Sequence, residues 1–147
     1  MTAPDPDILA AVAEWISFAD EDLSFARLGL GASGTRPFRL IAYHAQQCAE
    51  KSLKAYLVLK GVEFPYTHSI RALLGLCAEH AGWPESLRDA ETLSPYAVAP
   101  RYPGVRTVVS ERQAVHAVGL AARVLDLVRN ELQREGINLP APREERG

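Results

Sequence analysis

Cysteine is scarce in this chain, with only Cys48 and Cys77 among 147 residues, and methionine occurs once. Both cysteines fall inside helical patterns and far from any C-x-x-C spacing. They give no basis for a disulfide framework or a structural zinc site, and a buried, reduced pair in a cytoplasmic protein is expected. No apolar run approaches the roughly 20 residues that a membrane-spanning helix needs. The opening segment MTAPDPDILAAVAEW carries acids and no basic cluster, so no signal peptide is expected. Catalytic signatures are missing as well: there is no H-E-x-x-H, no G-x-S-x-G and no glycine-rich phosphate loop after a strand. The four histidines, His44, His68, His80 and His116, lack metal-ligand spacing, and the E-x-x-H pairs of di-iron bundles do not occur. Neither a metal nor a cofactor is expected.

Net charge is small too, at −2, which does not advertise nucleic acid as a partner. Its distribution is uneven. Residues 1–30 hold six acids and one base, whereas residues 31–60 hold five bases and one acid. Positive charge therefore gathers around residues 31–60, the region of the second helix described below, and on the C-terminal part, where it could form a local anion-binding face.

No strand-like alternation and no internal repeat is visible, but five helical patterns are. The first runs from about Asp7 to Leu30, with Ile8, Val12, Trp15, Ala19, Leu23, Ala26 and Leu30 recurring every three or four residues. After GLGASGTRP, a second helix runs from about Pro37 to Leu59 and stops at Gly61. Its inward stripe, Ile41, Ala45, Cys48, Ser52, Ala55 and Leu59, is mostly small, which suits close approach of another helix and a helix-packed dimer. A third helix is expected from an N-cap at Thr67 to Gly82, and a short fourth from Pro84 with Leu87, Ala90 and Leu93 inward. An irregular loop follows, PYAVAPRYPGVRTVV. The fifth helix starts with the capping box Ser110/Gln113 and runs to about Arg134. The expected fold is an all-α up-and-down bundle, three long helices and two short, as one domain over 1–134 with a flexible tail over 135–147.

The second helix and the loop after it, Ala42 to Ile70, carry the chemistry. An ordinary amphipathic helix presents interchangeable Glu, Lys and Arg to water, but this one presents Tyr43, His44, Gln46, Gln47, Glu50, Lys51 and Lys54. Offsets of three and four place His44, Gln47, Lys51 and Lys54 on one ridge, and Glu50 and Lys54 form an i,i+4 pair. A solvated face with weak pairing is the plain reading for the charged members. Gln46, Gln47 and His44 fit it less well, since Gln can bond a base edge and His can carry a proton. Asp22, beside the first helix's apolar stripe, calls for a partner, with Lys54 or a histidine as candidates. His68 follows Thr67, where free N–H groups at a helix start favour an anion. Arg101 and Tyr102 lie in a loop stiffened by Pro100 and Pro103, which suits a phosphate or carboxylate clamp. On the last helix, Arg112 and His116 are four apart, with Arg123 on the same side. Neutral histidine there could take a 2′-hydroxyl proton while arginine stabilises the pentacoordinate phosphate.

Four segments in order, ADEDLSFARLGL, YHAQQCAEKSLKAYLVLKG, FPYTHSIRALL and PRYPG, make the chain resemble the HEPN domain over about Trp15 to Val128. The resemblance implies a five-helix bundle that usually dimerises around a cleft. Many family members act with a minimal nucleotidyltransferase as a toxin–antitoxin pair. Others are metal-independent endoribonucleases, and some are proposed nucleotide binders. The ribonuclease branch is marked by Arg, four to six residues, then His near the start of the last long helix. Here Arg112 and His116 have three residues between them, and the correctly spaced Arg39–His44 lies on the second helix. Enzyme activity is therefore left open. The resulting expectation is a protein that binds a nucleotide or RNA phosphate through His44, Gln47, Lys51, Lys54, His68, Arg101 and Tyr102. A homodimer, a nucleotidyltransferase partner and no membrane contact belong to the same expectation. The alternatives are a ribonuclease using His44, Arg112 or His116, and a non-catalytic protein-interaction module.

Overall fold

Asp5 begins the first helix: its carboxylate accepts the Asp7 N–H at 2.7 Å, and Pro6 occupies the first turn, where its missing N–H costs nothing. The computed structural model describes residues 3–97 and 108–142. Within them α1 spans Pro6–Gly31, α2 Phe38–Leu59 and α3 Ile70–Ala78; a 3-10 helix spans Trp83–Ala97, and α4 spans Glu111–Arg134. There is no strand among the described residues, and no helix there is long and apolar enough to cross a membrane. The architecture is the all-α bundle that the sequence patterns predict.

Two helix ends use glycine in the same way. Gly61 (φ +68°) follows α2, with Gly61 N–H donating to Val58 O and Val62 N–H to Leu57 O. Gly136 (φ +88°) follows α4, with the equivalent bonds to Gln133 O and from Ile137 N–H to Leu132 O. These are Schellman closures, and in the second the residue after the glycine, Ile137, folds into the core. The chain then stays on the bundle: Leu139 is buried, and Arg129 Nη1 donates to Pro140 O at 2.9 Å. At the start of α4 both halves of the Ser110/Gln113 capping box are formed.

Three local expectations are corrected. The N-cap of α3 is Ser69, whose Oγ accepts from Ala72 N–H, while Thr67 Oγ1 accepts from Ser69 N–H in the turn before it. His68 therefore precedes the helix instead of occupying its first turn. In addition, α3 ends at Ala78, short of Gly82. The fourth helix is longer than expected and takes in Pro95 and Ala97 from the segment read as loop. Its buried residues Pro84, Leu87, Ala90 and Leu93 repeat every three residues, the 3-10 period, so each turn sets one side chain inward. Leu87, Ala90 and Leu93 do face the core as predicted. Ser94 on this segment accepts the Ile70 N–H at 2.9 Å and so ties it to the start of α3.

The central element is α2, which packs against α1, α4, α3 and the 3-10 helix. Its small stripe is consumed inside the chain: Ala45, Cys48, Ser52 and Ala55 are fully buried, and Cys48 Sγ lies 3.9 Å from Ala121 O on α4. That stripe is therefore not available as a dimer seam. Both cysteines are free and buried, and burial pushes the thiols up, Cys77 to about 12. Neither is a nucleophile at neutral pH.

A tight approach of α1 to α2 occurs at Gly29, where a Cβ would lie 2.7 Å from Cγ1 of the buried Ile41. Gly29→Ala gains about 1 kcal/mol of helix propensity but must displace a packed side chain, at about 1–3 kcal/mol. Denaturant unfolding should show Gly29→Ala destabilising in the native background and stabilising in an Ile41→Ala background, where the clash is gone.

Candidate functional site

At about 100° per residue, Tyr43, His44, Gln46, Gln47, Glu50, Lys51 and Lys54 fall within an arc of about 160° on α2. The solvated-face reading fails for most of them. Gln46, Gln47, Glu50 and Lys54 are buried, with Glu50 3% and Lys54 7% exposed. The cover comes from α1 and from the turn before α3. Trp15 and Phe64 meet edge to face, and Lys54 Nζ lies 5.7 Å and 5.5 Å from their ring centroids. An ammonium so placed has lost much of its water and is held by two aromatic rings and one carboxylate.

That carboxylate is Glu50. Its Oε2 accepts from Lys54 Nζ at 3.0 Å; its Oε1 accepts from Gln46 Nε2 at 3.1 Å and lies 2.7 Å from His68 Nδ1. Gln46 Nε2 also donates to His68 O at 3.0 Å, and Gln47 Nε2 donates to Gln46 Oε1 at 2.7 Å. The result is a continuous internal chain from Gln47 to His68. Burial pushes the Glu50 carboxyl up, but the hydrogen bonds from His68, Gln46 and Lys54, with the Lys54 charge, outweigh it and hold it below the usual range.

A second carboxylate gathers the other end of the face. Asp22 Oδ1 lies 2.8 Å from His44 Nδ1, and Asp22 Oδ2 accepts from Lys51 Nζ at 2.6 Å. Asp22 thus has a histidine partner, as the sequence suggests, and Lys51 in place of Lys54. Phe25 packs against the His44 ring at 4.5 Å with the planes tilted by 55°, and Tyr43 meets it edge-on at 5.2 Å.

An ionised carboxylate only accepts, so each imidazole must donate Nδ1–H to it. In neutral His44 this fixes Nε2 as the proton acceptor, the arrangement that orients a base or a phosphate contact. Besides the half-buried Tyr43, the side chains that reach the surface are His44 (28% exposed), Lys51 (24%) and His68 (23%). Lys54 and Gln47 lie beneath them. Among the described residues no group of three His, Cys, Asp or Glu side chains is arranged to hold a metal ion.

The remaining candidates lie elsewhere. Arg101 and Tyr102 are outside the described residues. Arg112 and His116 are exposed on α4 and line a groove of about 420 Å³ with Thr92, Tyr96 and Gln113. Arg123 donates to Ser86 O at 2.8 Å and serves as a strut between α4 and the 3-10 helix. Sequence reasoning missed the linking role of Gln46 and the covering rings of Trp15, Phe25 and Phe64. Aromatic residues flanking a polar helix face leave no pattern separate from core periodicity.

The family model of the HEPN domain matches residues 12–131. The chain belongs to the HEPN domain family. The matched range takes in both carboxylate clusters of this HEPN chain and most of α4. Over 96 residues the chain is 33% identical to the "Putative toxin MJ1304" of Methanocaldococcus jannaschii, covering 60% of this chain and 61% of that protein. The match thus spans about three fifths of that curated relative's length. Two solved structures are similar. TT1696 from Thermus thermophilus superposes with a TM-score of 0.71 at 28% identity, over 82% of this chain and 98% of that one. ST0689, an archaeal HEPN homologue, gives 0.65 at 29% identity, over 82% and 97%.

Because Glu50 is held below its ordinary value of 4.5, its ionised form adds stability above that pH, and the gain is lost as pH falls through the lowered folded value. Glu50→Gln should therefore destabilise the fold by about 3 kcal/mol at neutral pH, with Lys54 left uncompensated, and by progressively less below pH 4.5. Thermal melts of both proteins between neutral and acid pH check this.

Proposed function

We propose that this HEPN protein binds the phosphate of a nucleotide or an RNA at the outer edge of the α2 polar face. We further propose that it acts as the HEPN half of a toxin–antitoxin or related defence pair with a minimal nucleotidyltransferase. The Asp22 cluster carries the first part. Asp22 fixes the His44 ring through Nδ1 and takes one of the three Lys51 N–H donors, leaving the others for a ligand. A phosphate placed there favours the imidazolium form of His44, whose Nε2–H then donates as well. His68, fixed by Glu50, extends the same edge, and the buried Lys54, Gln46 and Gln47 act as its framework. The toxin part rests on the family and on the name of the archaeal relative.

The groove of Arg112 and His116 supports a second reading, metal-independent RNA cleavage, because both side chains are exposed on one concave surface beside Tyr96. The residue spacing argues against it, being one short of the ribonuclease pattern.

Two measurements separate these readings. Titration with ATP or a short labelled RNA should show affinity about tenfold weaker in Lys51→Ala, more so with His44→Ala added, and unchanged in Arg112→Ala. Unchanged affinity in the folded double variant removes the α2 edge from the site. RNA incubated with the pure protein in excess chelator should stay intact; cleavage that vanishes in His116→Ala moves the activity to the α4 groove.

A further inference from the structure

The carboxylate that holds His44 and Lys51 stands between two exposed rings. On α1, Phe18 lies four residues before Asp22 and Phe25 three after it. Those offsets turn the two rings about 40° and about 60° to the same side of Asp22, so both border the edge where Asp22 meets α2. Phe18 is 42% exposed and Phe25 54%. Each ring also borders a groove of its own. One, of about 470 Å³, is lined by Ala11, Trp15 and Phe18; the other, of about 380 Å³, by Asp22, Phe25, Leu28 and His44. The second groove thus shares Asp22 and His44 with the anion-binding edge, and Phe25 packs against the His44 ring itself. Glu14 borders the first groove and Glu21 the second, and carboxylates there turn phosphate away from the grooves and leave them to the uncharged part of a ligand.

We infer that the ligand of this edge is single-stranded RNA, held as one dinucleotide step: the bridging phosphodiester sits on His44 and Lys51, one base lies on Phe18 and the next on Phe25. The inference rests on the phosphate reading of the α2 edge and narrows it from any nucleotide or RNA phosphate to an internal phosphodiester. A mononucleotide fills only half of the arrangement. Its single base covers one ring and leaves the other ring and its groove bare. A duplex fails on length. The two phenylalanines are seven residues apart, about 10 Å along the helix axis, whereas stacked bases of one strand follow each other at about 3.4 Å. The two bases must therefore splay to either side of the phosphate, which a single strand permits and a paired stem does not. A phenyl ring stacks with any base, so such a site reads the shape of the step and not its sequence.

The probes are the dinucleoside monophosphate ApA and the mononucleotide AMP. A site that reads charge alone prefers AMP, whose terminal phosphate carries nearly two charges against one on the diester. Calorimetric titration should instead show ApA binding at least about tenfold more tightly than AMP. Phe18→Ser should lose most of that preference, weakening ApA about tenfold and AMP less than about twofold, while melting as the native chain does. Lys51→Ala should weaken both probes alike. A single-stranded decamer should also bind more tightly than the same decamer annealed to its complement. AMP binding as tightly as ApA overturns the inference and leaves the phosphate reading standing, whereas binding of neither probe overturns both. A preference for ApA that survives Phe18→Ser and Phe25→Ser overturns the inference, as does a preference for the duplex. So does a native dimer in sedimentation that Phe18→Ser/Phe25→Ser splits into monomers, since the rings then belong to a second copy.

Discussion

The buried carboxylate of Glu50 is the constraint around which this bundle is organised. A carboxylate with 3% of its residue surface exposed is tolerable only if its lone pairs are met, and three separate side chains supply the donors. Gln46 and Lys54 come from its own helix, one turn before and one turn after. His68 comes from the turn ahead of α3, and the Gln46 amide also grips the His68 carbonyl. The same interaction therefore fixes a side-chain network and the path of the chain between α2 and α3. It explains why the turn before α3 is held by Thr67, Ser69 and Glu50 together, with the helix starting later than the Thr67 cap suggests.

From that anchor the polar face divides into two layers with different work. The inner layer of Gln46, Gln47, Glu50 and Lys54 is engaged in internal bonds, and Trp15 and Phe64 close over the ammonium of Lys54. Its members cannot reach a ligand without breaking bonds that hold the fold. The outer layer of His44, Lys51 and His68 is oriented by the inner one or by Asp22 and still meets solvent. Fixing Nδ1 of each imidazole on a carboxylate removes the tautomeric freedom of a surface histidine, which is the ordinary way a fold prepares such a ring for contact chemistry.

The fold was legible in the sequence because its signals were redundant. The stripe on α2 was both periodic and small, the Ser110/Gln113 box was complete, and Gly61 stands where α2 must stop. Boundaries failed where two capping residues competed, as with Thr67 and Ser69, and where a threefold period is easily read as a short α-turn, as at Pro84 to Leu93. The site was legible only in its membership. His44, Gln46 and Gln47 could be told apart from an ordinary solvated face, whereas Glu50, Lys51 and Lys54 could not, and the depth of none of them could be read, because depth depends on which aromatic residues of α1 and of the segment before α3 fold over them. Trp15, Phe25 and Phe64 follow ordinary apolar spacing and carry no mark of that role. Two of the clamp residues, Arg101 and Tyr102, lie outside the described residues.

The uneven charge along the chain takes on a different meaning in three dimensions. A base-rich segment at residues 31–60 suggests a positive face, yet most of its cations are matched by acids. Lys51 meets Asp22 from α1, Lys54 meets Glu50, Arg36 meets Glu111 at the start of α4, and Lys60 meets Glu135 at its end. The basic segment thus draws its partners from α1, from its own helix and from both ends of α4, and its charge reports how these helices are clasped together. An anion at the α2 edge is consequently recognised by a few aimed N–H groups and not by a broad positive field. Recognition of that kind gives orientation and discrimination more than affinity. It leaves Asp22 as the group that decides the outcome: the carboxylate that positions His44 and Lys51 also competes with a bound anion for both of them.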